Sequence, residues 1–476
     1  MMSATARHRF WTRVVPRLLP FADAATRDLP LPRLLRLSLF QISVGMAAAL
    51  LTGTLNRVMI VEMGVPASLV ALMVSLPLVF APLRALIGFR SDTHRSKLGW
   101  RRVPYIWFGT LLQFGGLAIM PFALIILSGD THGPAWVGHV GAGLAFLMVG
   151  AGLHTTQTAG LALATDLAPE HARPRVVALL YVVLLIGMFG SAMVLGWLLA
   201  DFSQLRLIEV IQGAAVVTLL LNLIALWRQE ARDPRVTAED RERPTFAEAW
   251  QKISQGGRTA RLLVAIALGT AAFSMQDILL EPYGGQILGL SVGATTQLTA
   301  ILAAGSLVGF AFAARSLTRG YNPYRLAANG ALVGLIAFSF VIFAAPLQSA
   351  ELFRAGTALI GLGHGLFAVA TLTAAMALAR AGDSGIALGA WGAVQATAAG
   401  LAIAAGGAIR DVVSMLAKQG SLGVALNDPA TGYAVVYHIE IALLFLTLVA
   451  IGPLVRPASD ASTQPNTGFG LDRFPA

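Results

Sequence analysis

Cysteine is absent from the 476 residues, which excludes a disulfide framework, a thiolate metal site, an iron–sulfur cluster and a thiol nucleophile. Charge is scarce as well. Asp, Glu, Lys and Arg together make up 12% of the chain, about half the share of an ordinary soluble domain. With 56% hydrophobic residues and a mean hydropathy of +0.71, too few polar side chains exist to cover water-facing domains, so the solvent is lipid. No glycine is followed directly by lysine, which removes the Gly-Lys-Ser/Thr phosphate cradle and with it an ATP-driven pump. A His-Glu-x-x-His helix is missing too, and the stretch Thr165 to His171 offers no partners for hydrolysis. An enzyme is not expected.

What is present is a set of apolar runs. Spanning a bilayer takes about 20 apolar residues, and twelve such stretches are centred near residues 48, 77, 115, 150, 187, 218, 271, 304, 335, 366, 397 and 444. An even number puts both ends on one side. Assigning the connectors alternately to two sides places 29 of the 34 basic residues on one of them, and leaves Arg57, Arg206, Arg354, Arg410 and Lys418 on the other. By the positive-inside rule this asymmetry predicts cytoplasmic termini. The net charge of +10 is then topological, and no nucleic acid is expected.

The expected organisation is all-α and integral to the membrane. A basic cytoplasmic segment spans 1–36, a six-helix half 37–228, a cytoplasmic linker 229–260, a second six-helix half 261–456 and a disordered tail 457–476. The first segment lacks the shape of a secretory signal. Its Arg9, Arg13 and Arg17 recur every four residues, as in an amphipathic segment on the inner leaflet or a basic tail. The linker carries eight basic and six acidic residues between Arg228 and Arg261. The halves echo each other: span four holds Gly150-Ala151-Gly152-Leu153-His154 and span ten Gly361-Leu362-Gly363-His364, each the fourth of its half, while span one ends in Glu62 and span seven in Glu281. Two parallel six-helix repeats around a midplane cavity leave such a trace, which predicts the major facilitator superfamily fold with 12 transmembrane helices.

The connector between spans two and three reads Gly88-Phe89-Arg90-Ser91-Asp92-Thr93-His94-Arg95-Ser96-Lys97-Leu98-Gly99-Trp100-Arg101-Arg102. It resembles the facilitator loop signature of Gly, then Asp, then Gly and paired basics. Asp92 can cap a helix end and pair with arginines, a contact that breaks when halves rock. The expected cytoplasmic gate comprises Arg84, Asp92, Arg95, Arg101, Arg102 and Asp166, with Arg84 either snorkelling or paired to Asp166. A plainly solvated basic loop is the alternative.

Longer motifs narrow the resemblance. Pro82 to Gly88, Ser91 to Ser96, Gly99 to Trp107, Arg173 to Leu179 and Met275-Gln276-Asp277-Ile278-Leu279-Leu280-Glu281-Pro282-Tyr283-Gly284-Gly285 look like the PucC and LhaA family, the bacteriochlorophyll delivery branch of the facilitator superfamily. The match runs from about Leu34 to Arg456. Resemblance to this family implies an assembly factor for light-harvesting antenna complexes of purple phototrophic bacteria, located in the inner or intracytoplasmic membrane. It implies antenna α/β polypeptides, the reaction centre and the bacteriochlorophyll synthesis or insertion machinery as partners, and bacteriochlorophyll as the pigment handled. Core and peripheral antenna factors share these motifs, and the core antenna is slightly favoured.

A magnesium tetrapyrrole in a dry pocket suits a neutral imidazole as fifth ligand. His154 and His364 are the candidates, with Gln157 and Gly363 beside them, and the neighbouring glycines are expected to leave room for a ring. The alternative for either histidine is a hydrogen bond across helices, with Gln157 or Thr155 helping at the first. Asp277 and Glu281, four residues apart on span seven, are expected on one face near its periplasmic end. With Glu62 they form candidate cavity or coupling carboxylates. They would serve a proton-coupled exporter, hold Arg57, or bond pigment carbonyls, with Pro282 and Gly284-Gly285 breaking the helix just beyond. Small-residue stripes in span eleven (Gly392, Ala396, Gly400, Ala404, Ala408) and span five (Ala192, Gly196, Ala200) are expected to pack internally between pseudo-equivalent spans or to dock antenna helices. A proton-coupled transporter of an amphiphile and a pigment-free scaffold are the rival functions.

Overall fold

The computed structural model describes residues 24–26, 29–79, 91, 99–128, 134–169, 172–232, 257–378 and 384–455. Eleven helices among them are long and apolar enough to cross a membrane, and a twelfth apolar helix is shorter. They are spans one (Leu31–Glu62), two (Ala67–Val79), three (Val103–Leu127), four (Ala135–Leu167), five (Arg173–Leu198), six (Gln204–Leu226), seven (Arg258–Gln286), eight (Val292–Thr318), nine (Pro323–Ala344), ten (Ala350–Leu378), eleven (Ser384–Lys418) and twelve (Thr431–Val455). All twelve expected spans have a counterpart, and among the described residues there is no strand. The chain is an all-α, multi-pass membrane protein. The helix of span one begins at Leu31, inside the expected 1–36 segment, and that of span seven at Arg258, inside the expected linker.

Side-chain chemistry fixes where the helices start. Ser203, Ser291 and Asn322 turn their side-chain oxygens onto the first free N–H groups of spans six, eight and nine, satisfying donors that lipid cannot. Spans one and seven are followed by Gly64 and Gly289 at φ of 66° and 65°, a left-handed turn that favours glycine. The same turn after the first span of each half carries the internal repeat into the backbone. Large apolar side chains such as Phe108, Phe122, Trp197 and Phe312 cover the outside, where lipid replaces water.

Two spans depart from α-helical winding. Span one passes through π-helical segments at Ala49–Leu55 and Val58–Glu62, and span seven tightens into a 3₁₀ turn at Met275–Ile278 before a new helix, Leu280–Gln286. The break was expected at Pro282 and Gly284-Gly285, just beyond Glu281. It lies upstream, because a proline in the first turn of a new helix has no hydrogen bond to lose.

One end of the bundle carries the connector between spans six and seven and is termed the linker end; the opposite is the far end. The halves meet closely at the far end. Gly196 and Ala200 of span five lie on Gly293 of span eight, and a Cβ on Gly293 would stand 2.5 Å from the Gly196 carbonyl oxygen. Gly407 of span eleven lies on Ala67 and Ala71 of span two, where a Cβ would meet Ala71 at 2.5 Å. The stripes therefore pack internally, but five against eight and eleven against two, rather than against each other. Toward the linker end of span eleven, no described residue lies within 4 Å of where a Cβ on Gly392 would be.

Candidate functional site

Both histidines are half-buried within their spans. Their glycines do not open space, contrary to expectation. A Cβ on Gly152 would stand 2.5 Å from the Gly109 carbonyl and 2.6 Å from the Gln113 nitrogen of span three. Gly361 abuts the Leu302 carbonyl of span eight, Gly363 the Gly330 carbonyl of span nine (2.8 Å), and Gly365 the Ser306 carbonyl (2.7 Å). Neighbouring backbones fill the room that absent side chains leave, as small residues permit in lipid. The imidazole of His364 packs against Phe273, with ring centroids 5.7 Å apart. Gln157 is buried, and beside it Thr156 accepts the Gln113 amide at 2.9 Å. A lateral groove of about 270 Å³ lies elsewhere, lined by Met46 of span one, Val194, Leu195 and Leu198 of span five, and Val210 and Gly213 of span six.

The carboxylates of span seven take different hydrogen-bond partners. Because Met275–Ile278 is a 3₁₀ turn, the four-residue spacing no longer sets Asp277 and Glu281 on one α-helical face. Asp277 Oδ1 accepts the side-chain amide of its neighbour Gln276 at 2.6 Å. Glu281, 4% exposed, reaches into the seam between halves, where Thr299 Oγ1 donates to it at 2.9 Å and Asn56 Nδ2 at 3.3 Å. Thr54 and Thr296 meet beside them at 3.2 Å. Arg57, an expected partner of the Asp277 and Glu281 pair, is held by Glu62 instead and donates to the Leu290 carbonyl at 3.3 Å. Its guanidinium lies on Gly285, whose Cβ would stand 3.0 Å from Nε. Gly285 thus makes room for an arginine rather than breaking a helix.

Of the expected gate, Arg84, Asp92 and Arg95 lie outside the described residues. The rest forms a clamp within one half. Asp166 Oδ2 accepts from Arg101 at 2.5 Å and from Arg102 at 3.0 Å, and Arg102 also donates to Ser91 at 2.6 Å. Glu230, which the sequence did not single out, receives the backbone N–H groups of Arg101, Arg102 and Val103 at 2.7, 3.0 and 2.8 Å. A carboxylate from the end of span six thereby caps span three. Next to it Gln229 and Arg33 exchange hydrogen bonds, Arg33 donating to the Gln229 carbonyl at 2.7 Å.

Three further groups escaped the sequence reading. Asp411 of span eleven accepts the Ser68 N–H at the start of span two at 2.7 Å. Beside it Arg410 donates to Asp411 (2.9 Å), Gln286 (2.7 Å) and Tyr433 (3.0 Å), its guanidinium 4.6 Å from the Tyr433 ring. Tyr283, Tyr433 and Tyr437 form a buried aromatic cluster, ring centroids 5.4 and 5.5 Å apart. Glu440 follows Tyr437 within span twelve. The 433, 437, 440 spacing puts all three on one helical face and was the available signal. In the other half Asn222 donates to Thr110 at 3.0 Å and accepts from Ser43 at 2.7 Å, a buried polar network among spans one, three and six.

Residues Gly289-Leu290-Ser291-Val292-Gly293 have the spacing of a hydrolase elbow. Ser291 is committed to capping, accepting the Ala294 N–H at 3.3 Å, and Gly293 to the contact with span five.

Comparison with known proteins fits this architecture. Residues 54–459 match the family described as PUCC protein. Protein PucC of Rhodovulum sulfidophilum is 60% identical over 419 residues, 87% of this chain and 92% of the relative. The chain belongs to the PucC family. This PucC-family protein is also 59% identical over 462 residues to an uncharacterized protein in the puhA-bchM intergenic region of Rhodobacter capsulatus, covering 96% and 97% of the two chains. The bacteriochlorophyll synthase 44.5 kDa chain of Rhodobacter capsulatus is 27% identical, with 92% and 98% covered. Among solved structures, a mutant of the nucleoside transporter NupG superposes with a TM-score of 0.65 at 12% identity, over 89% of this PucC-family chain and all of its own. That likeness establishes the facilitator fold and nothing finer.

Proposed function

We propose that this PucC-family protein is an assembly factor for a purple-bacterial light-harvesting antenna, binding bacteriochlorophyll and presenting it to newly inserted antenna α/β polypeptides. Membership of the PucC family over residues 54–459 carries the reading. The relationship to a chain named for bacteriochlorophyll synthase supports the pigment side of it, as does the partial exposure of His154 and His364 at matching places in the two halves. Packed glycines close the slots beside these histidines, so the macrocycle is taken at the exposed edge of each imidazole and its isoprenoid tail lies along apolar helix faces. The core antenna is the first complex to examine, ahead of the peripheral one. The protein sits in the inner or intracytoplasmic membrane, as the family reading implies, and by the basic-residue asymmetry both termini are cytoplasmic; the far end is then periplasmic. The reaction centre and the pigment synthesis machinery are further candidate partners, and no catalytic step is assigned.

The test is purification from phototrophic cells. Bound pigment absorbance and attached antenna polypeptides are expected, with both lowered in a His154→Leu, His364→Leu double variant. A colourless preparation without antenna subunits overturns the reading. A second reading is proton-coupled transport of an amphiphile. The close contact of the halves at one end favours it, as expected of alternating access. Gradient-driven flux dependent on Asp277 and Glu281 would select it.

A further inference from the structure

Spans seven and twelve enclose Glu440, an acidic group that neither reading employs, beside the Asp277 that the transport reading invokes. Glu440 is wholly buried, and neither of its carboxyl oxygens closes a hydrogen bond, although the Gln276 backbone approaches it. Tyr437, one turn earlier, is also wholly buried with its hydroxyl unpartnered. Across the seam the side-chain oxygen of Gln276 is unpartnered at 2% exposure. Asp277, on the 3₁₀ turn of span seven, is near enough to Glu281 and Glu440 to interact with both electrostatically.

Among the described residues the surroundings supply no counter-charge. Span twelve adds Tyr433 and Tyr437, and span seven adds Glu281 and Tyr283, whose hydroxyl is spent on the Val341 carbonyl of span nine at 3.1 Å. Span nine contributes the Phe338 ring, 6.3 Å from that of Tyr437. Arg410 of span eleven is engaged by Asp411, Gln286 and Tyr433, and Arg57 of span one by Glu62. Among the described residues no salt bridge reaches Glu440 or Asp277, and no group of three His, Cys, Asp or Glu side chains has the arrangement to hold a metal ion.

An ionised carboxylate without a donor is too costly to keep at membrane depth, and two within electrostatic range also repel. A proton on the pair removes the charge and supplies the missing donor. We propose that Asp277 and Glu440 form a buried proton-exchange site at the break of span seven, with Tyr437 as the hydrogen-bond partner of Glu440. When the proton leaves for water, the Tyr437 O–H turns to the ionised Glu440. The 3₁₀ turn, whose hydrogen bonds are poorer than those of an α-helix, yields to let water follow. Ionisation thus loosens the seam between spans seven and twelve. The site is independent of pigment binding and stands or falls separately from it.

The experiment is infrared difference spectroscopy of the full chain in lipid nanodiscs between acidic and alkaline buffer, in H₂O and D₂O. A carboxylic C=O band is expected that shifts in D₂O, gives way to carboxylate bands as pH rises, and loses most of its intensity in Glu440→Gln. Asp277→Asn is expected to remove the remainder, and Tyr437→Phe to move the band without removing it. The same band in Glu440→Gln and Asp277→Asn as in the parent chain overturns the site, as does its absence from the parent at every pH. Should Glu440→Gln fail to fold, Glu440→Asp decides: a displaced band supports the site and an unmoved one overturns it.

Discussion

Asp411 Oδ2 takes the backbone N–H of Ser68 at 2.7 Å, although 343 residues separate them. Ser68 lies in the first turn of span two, so a carboxylate of the second half caps a helix of the first. Both the unsatisfied N–H groups and the partial positive charge of that helix end favour the anion. With its side chain about 20% exposed, Asp411 is screened less than a surface acid. The contact joins the two halves at the far end.

Asp411→Ala removes that cap and one partner of Arg410. A loss of about 1 kcal/mol is expected, read as a lower midpoint of thermal unfolding in detergent. The chain has no cysteine, so a single Cys placed at Ala71 reports on the seam without background. Faster maleimide labelling at that position in Asp411→Ala is the expected outcome, and unchanged labelling contradicts the closure assigned to this contact.

Gly407→Val tests close packing of the same two spans. A Cβ there already meets Ala71 at 2.5 Å and the Ala67 carbonyl at 2.7 Å, so two further methyl groups must push helices apart. Overpacking of this kind costs about 1–3 kcal/mol. Gly392→Val, with no described residue within 4 Å of its Cβ position, is the control and should unfold close to the parent temperature.

Asn56→Ala leaves Glu281 with Thr299 as its remaining side-chain donor. Removing a donor from a buried charged or polar acceptor costs about 1–3 kcal/mol. The double variant Asn56→Ala, Glu281→Gln should recover part of that loss, because the glutamine needs less from its surroundings. Additive losses in the two variants would show that the residues do not act on each other.

Glu230→Ala uncaps span three, freeing the N–H groups of Arg101, Arg102 and Val103. A destabilisation of about 0.5–2 kcal/mol is expected, together with faster amide exchange confined to the first turn of span three. Exchange that stays at the parent rate would remove the capping role. Glu230→Asp, one methylene shorter, should fall between the two.

The internal repeat shows how far the sequence reached. The glycine-rich approach to a histidine in spans four and ten was legible because both lie at the same place in an apolar run. Its purpose was not. A glycine creates space only if no other helix takes it, and the backbones of spans three, eight and nine take it here. Asp277 and Glu281 take separate hydrogen-bond partners for a related reason: four-residue spacing implies one face only while the winding is α-helical, and the 3₁₀ turn at Met275–Ile278 interrupts it. Glu440 carried a signal in its spacing from Tyr433 and Tyr437, but a lone acid in a greasy helix gains meaning only from what faces it.

Amino-acid order alone set the number of crossings and their connection, because the cost of placing backbone and charge in lipid depends on each segment by itself. Which polar groups meet was decided by tertiary structure. Arg57 with Glu62, Asp411 with Ser68, and Glu281 with Asn56 and Thr299 all depend on helix rotation and depth, and a hydrogen bond is lost over an ångström of misplacement.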